Sequence, residues 1–290
     1  MSSATNEADM TRPERDEIAG PKGSGKDATG LFARLMRQQV YLYLVLPLSV
    51  LLLWHVTAAH TDLFPPVLLP TPWKVVVSGM AMIESGELLS HIRISLGRIL
   101  TGMAFSVCLA LPLGVFMGLS RRFEKIADGL ISLIRPIPPL AWLPLAVLWL
   151  GIGNATVVFI TSVAGFFVIL VNTIAGVKGV DQVLMRAAMS LGAKGSALIF
   201  RVVLPAAIPA VITAVRVAVG ISWMSIVAAE FVAASDGLGY LITFYQDVLR
   251  TDIVIVGMFT IGALGISMDV LLRRLEHFLV PWHEGVKVGR

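Results

Sequence analysis

Residues 186–205 read RAAMSLGAKGSALIFRVVLP, the one long polar-bearing interval in the apolar second half of the chain. Alanines at 187 and 188, a glycine at 192 and Leu204–Pro205 at the end divide the interval into two short helical pieces around a break. The first piece ends near Gly192, and the second runs from about Gly195 to Val202. Small residues (Ala187, Ala188, Gly192, Ala193) allow another surface to approach closely. Pro205 suits the first turn of a following helix, where its missing N–H costs nothing. The pattern predicts a bent knuckle between two membrane helices.

The flanking sequence supports a bilayer setting. Hydrophobic residues make up 56% of the 290, charged residues 14%, and the mean hydropathy is +0.82, which excludes an ordinary soluble globule. A formal charge of +4 without a basic stripe gives no footprint for nucleic acid. Cys108 is the only cysteine and lies in an apolar run, so no intramolecular disulfide, redox pair or zinc motif can form. His55 and His91 lack metal-ligand spacing, and no catalytic Ser-His-Asp set, carboxylate pair or HExxH is present.

In chain order, residues 1–36 form a polar segment expected to be a disordered tail. Its charged region is too long for a signal peptide. Within it, Gly20–Lys26 (GPKGSGK) imitates a phosphate-binding loop, but Asp27 stands where Ser or Thr is required and no strand precedes it. Val40–Thr61 is uncharged and long enough to span, and Pro47 is a candidate kink. Residues 62–92 read as an extended, proline-bearing connection followed by a surface helix. Ile99–Ser120 is the second uncharged run, with Gly114 and Gly118 on a helix-packing face. A charged loop at 121–128 follows. Pro136–Val177 carries no charge and, at twice the length of a hydrocarbon core, predicts a hairpin of two spans turning near Gly151–Asn154. Further spans are expected at Pro205–Ala233 and Ile253–Leu272, six in all.

Lys and Arg counts orient them. With the N-terminus inside, eighteen basic residues fall in inner segments and only Lys74 and Arg250 in outer ones. Both termini and the 186–205 knuckle are then cytoplasmic.

The offsets in 186–205 resemble the EAA loop of ABC importer permeases, with Arg186 in place of the family's Glu and Val202 in place of Ile. The resemblance covers roughly residues 88–275. Arg135–Leu145 (RPIPPLAWLPL), Arg216–Glu230 (RVAVGISWMSIVAAE) and Gly237-Leu-Gly239-Tyr are similar to the nitrate, sulfonate and taurine branch. It implies an all-α, six-helix type I importer permease fold. It further implies a bacterial inner-membrane homodimer with two cytoplasmic ATPase subunits and a periplasmic solute-binding protein. ATP and Mg would be bound by the ATPase; this chain would bind no cofactor and catalyse no reaction. The organisation expected is a tail (1–36), a first helix and periplasmic connection (37–87), a permease domain (88–275) with its coupling loop at 181–204, and a cytoplasmic tail (276–290). Arg186, Ala187, Ala188, Gly192, Ala193, Leu204 and Pro205 are the residues expected to engage the ATPase.

Two constellations are candidates for the pathway. Pro136, Pro138, Pro139 and Pro144 break a span, placing Arg135 and Trp142 at an interruption that is either a gate or a structural kink. On the helix from Arg216, the residues Arg216, Gly220, Trp223, Val227 and Glu230 share one narrow stripe. Intramembrane charges face a pathway or a partner. Two readings stand: a translocation surface at the dimer interface, or Arg216 paired to a neighbouring helix with Glu230 reaching outer water. Asn154 is expected at the hairpin turn, Asn172 as a helix-packing hydrogen bonder and Asp269 at the inner membrane edge. A small anion such as a sulfonate or nitrate is the expected solute, with bicarbonate, an aromatic acid or a neutral pyrimidine-like precursor as alternatives. A secondary transporter would need inverted halves, of which only one broken segment is evident.

Overall fold

The computed structural model describes residues 45–61 and 65–279, all helices and connections, with no strand among them. The tail at 1–36 with its glycine-rich imitation loop, the first residues of the expected 40–61 span and the end of the C-terminal tail lie outside the described residues. The chain divides into two units at Val56/Thr57. Helix α1 (Val45–His60) is apolar but short.

In the second unit, which takes in the last turn of α1, the next helix is α2 (Pro72–Glu84), its N-terminus capped by Thr71. A left-handed Gly86 (φ +77°) then turns the chain into α3 (Glu87–Leu119), 33 residues and about 50 Å long. The helix expected within 62–92 is α2, while the span expected from Ile99 starts earlier, at Glu87, so that α3 carries Arg93 and Arg98 within it. The charged segment after it, read as a loop, is helix α4 (Arg121–Ile134). Its polar and apolar residues segregate so cleanly onto opposite faces that the charges do not prevent helix formation.

The 136–177 segment turns where expected, at Gly151 (φ +77°) and Gly153 (φ +136°). Its two arms, however, are unequal. The first is a 3₁₀ turn (Pro139–Trp142) and α5 (Leu143–Leu150), bent 82° from α4; the second is α6 (Asn154–Lys178), 25 residues. Proline removes amide donors and clashes with preceding carbonyls, so the uncharged run cannot supply two full spans. Four helices among the described residues are long and apolar enough to cross a membrane: Glu87–Leu119, Asn154–Lys178, Ser196–Ala233 and Thr251–Phe278. Counting the bent pair as one broken span makes five.

The remaining elements are α7 (Gln182–Ser190), a single turn α8 (Ser196–Leu198), a π-helical stretch (Ile199–Val203), α9 (Leu204–Ala233), α10 (Leu238–Asp247) and α11 (Thr251–Leu279). Helix α6 packs between α3 and α9, and this trio forms the core around Ile99, Met117, Ile160, Ile169, Leu170 and Ile226. The GxxxG face does what the sequence predicts. A Cβ on Gly114 would lie 2.8 Å from Thr173 Cβ, and one on Gly118 2.7 Å from Val177 Cβ, so only glycine lets α3 approach α6 this closely.

Candidate functional site

The knuckle is built as its residues dictate. The Asp181 carboxylate accepts the Val183 N–H at 2.7 Å and starts α7. Gly192, at φ +90°, ends it, with its own N–H donating to the Met189 carbonyl and that of Ala193 to the Ala188 carbonyl, each at 3.0 Å. After Gly195 (φ +55°) the chain re-enters helix through α8 and the π stretch, and Leu204 and Pro205 open α9. Beneath, Val177, Val180, Val203 and Ala207 form a small buried cluster with Val115 and Met185 packed on it. Above, large apolar side chains stand uncovered among polar ones. Leu191 is 90% exposed, Val183 70% and Phe200 67%. Ala187 is exposed, Ala188 and Ala193 half-buried, and nothing lies within 4 Å of where a Cβ on Gly192 would be. Arg186 is also exposed, its Nη2 donating to Gln182 Oε1 at 3.3 Å.

At the proline break, Arg135 closes α4, Pro136 and Pro138 are exposed, and the Ala141 N–H donates to the Pro138 carbonyl at 2.9 Å. Arg135 and Pro139 line a depression with Phe167, Asn172 and Ile221. Asn172 donates only to Val168, within its own helix, at 2.8 Å. On the other side of the segment, Trp142 borders an apolar cavity of about 560 Å³ with Phe105, Phe159 and Phe166. Its Nε1 is buried without a partner among the described residues.

The stripe on α9 does not form one continuous surface. Arg216, whose side chain is 29% exposed, donates from Nε to Asp269 Oδ1 and from Nη1 to Glu276 Oε2, each at 3.1 Å, tying α9 to α11. Glu276 also accepts from Thr213, and Asp269 is shared with Arg273. Asp269 therefore serves as a link between helices. Gly220 is exposed, while Trp223 is buried with Nε1 donating to the Ile261 carbonyl at 3.3 Å.

Glu230 corrects the expectation that it reaches outer water. It is fully buried. Its carboxylate accepts from Ser95 Oγ at 2.8 Å, Arg98 Nη1 at 2.9 Å and the Gly239 N–H at 2.9 Å. Arg98, 5% exposed at its side chain, also donates to Asn154 Oδ1 at 2.6 Å, to the Asp236 carbonyl at 2.7 Å and to the Asp236 carboxylate. Gly237 and Gly239 are required here: a Cβ on Gly237 would fall on the Glu230 carboxylate, and one on Gly239 would sit 2.5 Å from the Val227 carbonyl. The physical reason is solvation. A carboxylate in an apolar bundle persists only when charge and donors replace the water it loses. Nearby on α10, outside the spans, burial pushes the Tyr245 phenol up, and its bond to Glu87 (2.8 Å) adds to the effect. The sequence reading missed Arg98, Ser95 and Asp236 as site residues; opposite charges within two predominantly apolar helices, Arg98 in α3 and Glu230 in α9, were the signal.

Residues 110–280 match the family described as "Binding-protein-dependent transport system inner membrane component". The chain is similar to the putative ABC transporter permease protein MJ0413 of Methanocaldococcus jannaschii, 38% identical over 89% of this chain and 98% of the relative. It is likewise similar to the taurine transport system permease protein TauC of Escherichia coli, 38% identical over 83% of this chain and 89% of the relative. Among solved structures, an amino acid ABC transporter with histidines matches in fold with a TM-score of 0.56 at 19% identity, over 68% of this chain and 97% of that one.

Proposed function

We propose, for a chain that belongs to the binding-protein-dependent transport system inner membrane components, that it forms the translocation pathway of an ATP-driven importer for a small anion, a sulfonate such as taurine. The observation that carries this reading is the knuckle at 181–204: a preformed, capped turn that holds Leu191, Val183 and Phe200 out of the chain's own core. Exposed apolar surface of this kind marks a contact site. In our reading the contact is the groove of a cytoplasmic ATPase subunit, which binds the ATP and Mg, so this chain itself catalyses nothing. Two copies of the chain, two ATPase subunits and a periplasmic binding protein complete the machine. The basic-residue asymmetry supports placing both termini on the ATPase side.

Arg216 enters this reading as a clamp. Its guanidinium already faces two carboxylates, and a passing anion would have to displace them. The specificity for sulfonates rests on the relative's name and is tested directly. Proteoliposomes holding the permease, its ATPase and the cognate binding protein should accumulate labelled taurine only when ATP and binding protein are both supplied. Accumulation driven by an ion gradient without ATP would contradict the reading. ATP-dependent uptake of a different solute would correct the substrate alone.

A further inference from the structure

Beside the knuckle, a groove of about 520 Å³ opens between α7 and the ends of the two spans α3 and α6. Its rim carries three cations, Arg121, Lys178 and Arg186, and its floor includes Val177, Met185 and Val203. Val177 and Val203 are 5% and 2% exposed. One carboxylate pairs with the rim, Glu124 on Lys178, and a second, Asp181, stands between the lining residues Val180 and Gln182, which leaves the rim with an excess of one cation. Arg186 reaches an uncharged acceptor, Gln182, and Arg121 has no ion pair among the described residues. Asp181 accepts the Val183 N–H and forms no ion pair with the three cations.

We propose that this groove binds an anionic phospholipid, its headgroup phosphate on Arg121, Lys178 and Arg186 and its acyl chain lying along the α3–α6 spans. The position favours a lipid over an acidic protein loop. The groove lies where two spans end, at Leu119 and Lys178, which is the depth at which phosphates and acyl chains meet. Adjoining it, α4 turns Ile126, Leu130 and Leu133, 77%, 62% and 75% exposed, away from the polar face that bears Arg121, Lys125 and Asp128. A helix with such segregated faces and an uncovered apolar stripe lies in a membrane interface. Basic pockets at the ends of membrane helices recognise anionic headgroups, and Arg121 and Arg186, neither in an ion pair among the described residues, supply the charge together with the Glu124-paired Lys178. Leu191, Val183 and Phe200 lie outside the groove lining, and of the residues expected to engage the ATPase only Arg186 also borders the groove.

The inference does not rest on the importer reading, only on the spans. Its test is native mass spectrometry of the purified permease–ATPase complex titrated with phosphatidylglycerol or phosphatidylcholine. Phosphatidylglycerol should be retained at least about tenfold more tightly, and Arg121→Gln with Lys178→Gln should weaken it about fivefold per charge removed, with the ATPase still bound. The exchange Arg121→Lys with Lys178→Arg should retain the wild-type preference. Equal affinity for the two lipids, or an unchanged affinity in the double Gln variant, would overturn the proposal. So would a double variant that sheds the ATPase while binding lipid normally, since the groove would then belong to the protein partner. Should the ATPase fail to co-purify even with the wild-type permease, the importer reading falls, and the lipid titration on the permease alone still decides this one.

Discussion

The two ends of the span bundle treat their polar and apolar groups in opposite ways. At the α10 end, Glu230 and Arg98 are buried and bonded within the chain: Ser95, Arg98 and the Gly239 amide donate to Glu230, and Arg98 also donates to Asn154 and Asp236. At the knuckle end, polar backbone is neatly capped but Leu191, Val183 and Phe200 stand in the open. The buried Glu230–Arg98 network is satisfied by groups of this chain; the apolar side chains of the knuckle have no cover among its described residues. The clamp between Arg216 and the Asp269–Glu276 pair lies between these extremes, partly exposed and shared among several groups.

Substitutions at each place should therefore fail differently. Glu230→Ala has the largest expected cost. It strips Arg98 of its buried counter-ion and orphans the Gly239 N–H, and breaking a buried pair costs about 3–5 kcal/mol. Thermal melts in detergent should show a much lower midpoint or no folded protein. A wild-type melt would mean that the α10 end is not held by this network. Arg216→Gln should be milder, about 1 kcal/mol, because Asp269 keeps Arg273 and Glu276 keeps Thr213, and partly exposed pairs contribute little. It should assemble and transport at more than half the wild-type rate. Abolished uptake in a fully assembled complex would move Arg216 from clamp to pathway. Arg186→Glu is the smallest change: the side chain is exposed and bonded only to Gln182, so stability should stay within about 0.5 kcal/mol and ATPase co-purification within twofold.

How far the sequence could be read follows the same division. Knuckle geometry was legible because Gly192, Gly195 and Pro205 act through local backbone rules that need no knowledge of the surroundings. The break at Pro136–Pro144 was legible for the same reason. What the break does to the span was not: whether the uncharged run up to Leu150 crosses or bends back depends on how it packs against α6, which periodicity does not report. Helix α4 was missed because counting charges treats Arg121–Asp128 as a loop, whereas their angular spacing leaves an intact apolar face. Charges in apolar helices signalled that Arg216 and Glu230 need partners, but not which residues those partners are. Glu276 and Asp269 are 60 and 53 residues from Arg216, and Arg98 is 132 from Glu230, separations that only the tertiary fold closes.

The central claim is that the knuckle's uncovered apolar surface is the seat of an ATPase, and Leu191→Asp tests it most directly. Leu191 contributes almost nothing to this chain's own core, so the variant should insert and melt like the wild type. A charge placed into an apolar contact without a partner is costly, so ATPase co-purification should fall at least tenfold and ATP-driven uptake with it. A Leu191→Asp permease that retains its ATPase at the wild-type level and transports normally would contradict the account.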